Sequence, residues 1–196
     1  MPSKSVLPRG FTTVAENLSE KYRTELGISK FEPMDAFKLA EHLKVDVFTV
    51  DEIYENNQQH PAYRIMSDPD RFNAMWTPNS EGRKTIIHND KHSAYRQQSN
   101  LMHELSHVIR DHTVPHEAAL LCAQLNLHYY NAIHEQEAKY LGGCLQITRP
   151  GIQWGLKHLE TVERIAEYFN ASTDMVNYRM RITGVAKQRF LAGRTS

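Results

Sequence analysis

The stretch His103-Glu104-Leu105-Ser106-His107 sets two imidazoles four residues apart. On a helix that spacing is one turn and a single face, so two ring nitrogens can converge on one tetrahedral ion. Glu104 falls about 100° round the helix from His103, beside that face and not on it. It can therefore hold a water without being a ligand, as a general base must. Zinc in such a site lowers the pKa of its water to about 7 and polarises a scissile carbonyl, which is the chemistry of peptide hydrolysis.

A catalytic zinc takes a third protein ligand and keeps one position open. A third histidine ten residues after the first is missing, because that position is Thr113. His112 is expected to point off the metal face, and His116 lies beyond a helix break expected near Pro115. The run from Asn131 to Leu141 offers three candidates. Glu137 shares a helical face with Leu141 and Cys144, so it is expected to point toward the core and the metal helix. His134 shares that face and would serve as a ligand or as a group behind the ligands. Glu135 lies about 200° round and is expected to be solvated more often. Spacing ranks the three in that order and leaves each open. His88, His92 and Tyr95 lie near the motif and read as structural residues.

These residues need a helix to carry them, and the apolar pattern supplies one from about Ala94 to Arg110, with Leu101, Leu105 and Val108 on one face. Ahead of it, Arg71–Trp76 and Lys84–His88 read as two strands joined by a turn-rich linker. The second of these is expected to offer an edge to which an extended peptide can pair. Val45–Val50 is a β-branched strand. Two helices precede it, from Phe11 to a stop at Gly27 and from Pro33-Asp35 through Leu43. The polar stretch Asp51–Arg64 reads as loop. A long helical stretch is expected from about Glu117 to Cys144, interrupted near Asn131 and weakened by Gly142-Gly143. After Pro150-Gly151, Thr161 and Ser172 can each cap a short helix. A peptidase domain over 1–149 and a small helical region over 150–196 follow from this pattern.

Composition narrows the class. The 196 residues carry 23 Lys+Arg and 23 Asp+Glu, so no global field draws the chain to nucleic acid or an anionic membrane. Eight of the 11 histidines fall between His88 and His134. Cys122 and Cys144 cannot build a disulfide framework, and no apolar run suits a leader or a membrane span. A cytoplasmic protein with reduced thiols is expected.

The run Lys84-Thr-Ile-Ile-His-Asn89, then Arg96-Gln97 and Leu-Met-His-Glu-Leu-Ser-His, resembles the ImmA/IrrE metallopeptidases. Their Glu-x-Glu-Ala-Asn-x-Phe-Ala stretch is matched by Glu135-Gln-Glu137-Ala138-Lys-Tyr140-Leu-Gly, and the Leu39–Val47 pattern is also similar. The resemblance implies a zinc-dependent endopeptidase of α+β class. Its zincin-like core would be a small sheet of three strands packed on the His-Glu-x-x-His helix, with a C-terminal, helix-turn-helix-like appendage. It implies His103, His107 and Glu137 as metal ligands and Glu104 as the catalytic residue; Mn²⁺ or Fe²⁺ could replace Zn²⁺. The implied partner is a helix-turn-helix repressor, cleaved to relieve repression in mobile elements or stress responses. Three departures stand out: Ser106 for the usual Gly, Leu141-Gly142-Gly143 for Phe-Ala-Ala, and Leu-Gln-Ile-Thr before Pro150 for Leu-Met-Pro. The last two are expected to reshape the substrate side.

Beyond Asp174 the chain holds Arg179, Arg181, Lys187, Arg189 and Arg194 and no acidic residue. This basic end could dock DNA or a repressor, or could be a solvated face of packed helices. A competing function is a transcription-linked binding protein whose metal site is structural or vestigial, but such a site has no need of Glu104.

Overall fold

A computed structural model describes residues 7–78, 82–112 and 131–185. The expected Glu117–Tyr130 part of the long helix, Pro115, His116, Cys122 and His128 lie outside these residues, as do Lys187, Arg189 and Arg194.

Helix α1 (Phe11–Glu25) ends where Gly27 turns at φ 67°, and α2 (Ala36–His42) begins where the Asp35 carboxylate accepts the N–H groups of Phe37 and Lys38. Strand β1 (Asp46–Thr49) is followed by helical turns and not by plain loop: α3 (Val50–Ile53) and α4 (Pro61–Met66). The signals for both were local. Thr49 and Glu52 form a capping box, while Pro61 opens α4 behind the His60 cap. Strands β2 (Ala74–Pro78) and β3 (Lys84–His88) complete a sheet of order β1-β3-β2. β3 runs parallel to β1 and antiparallel to β2. It is therefore the central strand, and the expectation that it offers a free edge is incorrect. β2 carries the edge beside the site.

Helix α5 (Ala94–Ile109) stops short of Pro115, because Asp111 already turns left-handed at φ 52°. Lys84 Nζ then donates to the Val108 carbonyl at 3.1 Å and to Asp111 at 2.9 Å, closing the helix end against β3. Helix α6 (Ala132–Gln146) starts on the Asn131 side chain and runs through both glycines without breaking. Pro150 and Gly151 do not fall in a linker. They sit in the first turn of α7 (Arg149–His158), capped by Thr148, a helix that the apolar pattern did not reveal. Thr161 and Ser172 cap α8 (Val162–Tyr168) and α9 (Thr173–Ile182) as expected from their positions.

Two apolar clusters result. One joins α1, α2, the sheet, α5 and α6 around Leu39, Ile86, Leu101, Leu105 and Leu141. The other gathers Ile147, Ile152, Ile165, Phe169 and Val176 among α7, α8 and α9. Gly142 lets α6 approach the backbone of α5: a Cβ there would lie 3.1 Å from the Met102 carbonyl oxygen and 3.3 Å from the His103 nitrogen. A Cβ on Gly143 would meet the Arg179 side chain at 3.1 Å. Both glycines thus face packed helices. The fold is α+β, with a small sheet against the motif helix.

Candidate metal centre and catalytic base

His103 and His107 stand on consecutive turns of α5 with their Nε2 atoms 3.2 Å apart. The third group at this point is Glu135, from the first turn of α6. Its Oε2 lies 3.2 Å from His103 Nε2 and its Oε1 3.5 Å from His107 Nε2. His103, His107 and Glu135 form the one cluster of potential metal ligands found among the described residues. Ligands at 2.0–2.1 Å from a tetrahedral ion lie about 3.3 Å from one another. The donor separations match that edge length, and two His and one carboxylate are a donor set that zinc accepts, so the residues fit a divalent ion.

Glu137 is placed elsewhere. Its Oε2 accepts from Arg110 Nε at 2.9 Å and faces His112 Nε2 at 3.1 Å. The expected face was right, since Glu137, Leu141 and Cys144 are all buried. The inference from that face to the metal was not, because the buried stripe of α6 meets the far end of α5, beyond His107. Glu135 sits at the margin of the stripe, with its side chain 36% exposed, where a site open to solvent has to be built. His134 does not reach the donor cluster either; its ring stacks on His112 at 4.2 Å with 3° between planes.

Glu104 is half-buried, and its Oε2 accepts the backbone N–H of Trp76 in β2 at 3.0 Å. Burial pushes this carboxyl up to about 7, against the opposing pull of His103 and the Trp76 N–H. Burial also works against a charged His103, but the Glu135 and Glu104 carboxylates together outweigh it and hold that imidazole above its ordinary value. His107 is lowered by burial and by the like charge of His103. Glu135 is lowered, chiefly by its hydrogen bond with His103. Burial raises Glu137, but Arg110 and His112 overcome it and hold the carboxyl below its usual range.

Other histidines of the cluster hold the frame. His92 Nε2 meets the Pro69 carbonyl at 2.8 Å and its Nδ1 meets Asn100, while buried His88 packs edge-on against Phe37. Trp76, Arg110 and the backing role of His112 were missed from the sequence; each depends on contacts across elements that no local spacing announces.

The sequence model of the M78 peptidases, described as an IrrE N-terminal-like domain, matches residues 40–181. The chain belongs to this family. The match runs from α2 nearly to the end of α9 and includes the whole donor cluster and Glu104. Members of the M78 family are metallopeptidases, and the fold described above is consistent with their zincin-like domain. No curated protein matches the chain. No helix among the described residues is long and apolar enough to cross a membrane.

Proposed function

We propose that this M78 protein is a zinc-dependent endopeptidase that cuts a helix-turn-helix repressor in the cytoplasm. The observation that carries the metallopeptidase reading is the triangle of His103 Nε2, His107 Nε2 and the Glu135 carboxylate at tetrahedral edge lengths, with Glu104 beside it. A divalent ion held by these three residues would polarise the scissile carbonyl and make water nucleophilic at neutral pH. Glu104 accepts a proton from the attacking water and returns it to the departing amine. A raised carboxyl suits both halves of that exchange, since a pKa near the working pH serves an acid and a base alike. The Trp76 N–H fixes the rotamer of Glu104 and points away from β3. In an antiparallel ladder the Trp76 carbonyl points the same way, so the outer edge of β2 can pair with an extended substrate segment beside the site.

A structural zinc site is closed by four protein ligands. Three donors, two of them partly exposed, with a base alongside, favour catalysis over that alternative. The His and carboxylate donors would also accept Mn²⁺ or Fe²⁺. The repressor as substrate rests on the sequence resemblance. The test is to incubate the zinc-loaded protein with the repressor encoded beside it, with and without chelator, next to a Glu104→Gln variant. Cleavage by the loaded wild type alone supports the proposal. Equal cleavage in all three, or none with one zinc bound per chain, overturns it.

A further inference from the structure

Behind the metal-facing side of His107 lies a chain of side chains that the peptide-cleaving chemistry does not use. His107 Nδ1 is 3.0 Å from His112 Nδ1, His112 Nε2 is 3.1 Å from Glu137 Oε2, and the same Glu137 oxygen accepts from Arg110 Nε at 2.9 Å. The rings of His107 and His112 meet edge to face at 5.0 Å, and His134 stacks on His112. His107, His112 and Glu137 are all buried.

The proton positions follow from the acceptor at the end of the chain. Glu137 is a carboxylate that has no proton to give while it receives the Arg110 N–H, so His112 donates its Nε2–H to it. A neutral imidazole carries one N–H, which leaves His112 Nδ1 as an acceptor. His107 must then donate its Nδ1–H across the 3.0 Å contact, and the lone pair of His107 is left on Nε2. That is the atom that faces His103 and Glu135. The reverse order would place a proton on His107 Nε2 and block it as a ligand.

We infer that His112 and Glu137 are positioning residues which lock His107 in its Nδ1–H tautomer and aim its Nε2 at the metal. This inference rests on the metallopeptidase reading but assigns roles that the reading does not need. The carboxylate expected to bind metal thus acts on the metal through two imidazoles. Outer partners of ligating histidines fix tautomer and ring orientation, and their loss costs 10–100-fold in metal affinity.

The test uses the full chain and zinc alone. His112→Phe keeps a ring for the His134 stack and removes both nitrogens; His112→Asn restores an acceptor near the Nδ1 position; Glu137→Gln removes the charge at the end of the chain. Zinc affinity from chelator competition is expected to fall 10–100-fold in His112→Phe, to recover in part in His112→Asn, and to fall less in Glu137→Gln. The His112→Phe, Glu137→Gln double variant is expected to lose no more than His112→Phe alone, because both act through one chain. Imidazole ¹⁵N shifts of the metal-free wild type should show the His107 proton on Nδ1, and the visible spectrum of the Co²⁺ form should change in His112→Phe. Zinc affinity unchanged in His112→Phe, multiplicative losses in the double variant, or a His107 proton on Nε2 overturns the inference while wild-type zinc binding leaves the peptidase reading intact. Failure of the wild type to bind zinc overturns both.

Discussion

Trp76 donates its backbone N–H to Glu104 Oε2 at 3.0 Å, so the edge strand and the proposed catalytic base are held by one bond. A glutamine at position 104 still offers an oxygen to that N–H but cannot take up a proton. Glu104→Gln is therefore expected to keep the zinc content of the wild type and to lower the peptide cleavage rate by at least about 10²-fold. Metal analysis and initial rates on the same preparation check the two halves together.

The same carboxyl gives the metal-free protein a pH dependence of definite sign. Burial raises Glu104 from 4.5 in the unfolded chain to about 7 in the folded one. Between those values the folded state binds the extra proton, so the contribution is fully present below pH 4.5 and disappears as pH rises through 7. Glu135 and Glu137 are shifted the other way and contribute stability that is lost on acidification. The measurement is therefore a difference. The melting temperature of the metal-free wild type relative to Glu104→Gln should fall as pH is raised from 4.5 to 7, and a flat difference would contradict the assignment.

Glu135 and Glu137 separate in a metal assay. Glu135→Ala removes a donor from the His103–His107 pair and is expected to abolish stoichiometric zinc binding. Glu137→Ala should still bind one zinc per chain, with weaker affinity. Zinc content as low in Glu137→Ala as in Glu135→Ala would restore Glu137 as a ligand. The contrast shows what a single sequence can carry. Periodicity identifies the buried stripe of α6 correctly, and the His-Glu-x-x-His spacing needs only a helix, so the convergence of His103 and His107 on one face was readable at once. A metal site open to solvent is built at the margin of a stripe, however, and which margin faces the partner helix depends on how α5 and α6 cross. Capped elements such as α8 and α9 were legible for the opposite reason, since Thr161 and Ser172 act within their own first turns.

That crossing is set by Gly142. Alanine is favoured over glycine in a helix by about 1 kcal/mol, so a solvent-facing Gly142→Ala would stabilise the chain. Here the added methyl group would meet the Met102 carbonyl oxygen at 3.1 Å, and that oxygen belongs to helix backbone that yields little. Overpacking of this kind costs about 1–3 kcal/mol, which leaves a net loss of about 1 kcal/mol. Displacement of α6 at His103 would also move Glu135 away from the two histidines. Gly142→Ala is expected to lower both the urea midpoint and the zinc affinity; a rise in stability with unchanged affinity would show that α5 and α6 can separate freely.

Arg179 looked from the sequence like part of a basic docking surface, but its side chain is fully buried. Its Nε donates to the Ile147 carbonyl at 2.7 Å, its Nη2 to Glu16 in α1 at 2.7 Å, and its Nη1 lies 3.1 Å from Cys144 Sγ. The guanidinium therefore fastens α9 to α1 and to the end of α6, in the space that Gly143 leaves open. Arg179→Met keeps much of the volume but strands the Ile147 carbonyl and leaves Glu16 without its cation. Breaking a buried pair from one side costs about 3 kcal/mol or more. Arg181 provides the control: it is exposed, and its replacement by alanine should change stability by no more than about 0.5 kcal/mol. Urea unfolding of the two variants distinguishes a structural clasp from a contact surface. A stable Arg179→Met protein that loses only partner binding would return this arginine to the docking face, whereas the bonds to Glu16 and Ile147 require the loss to appear in folding itself.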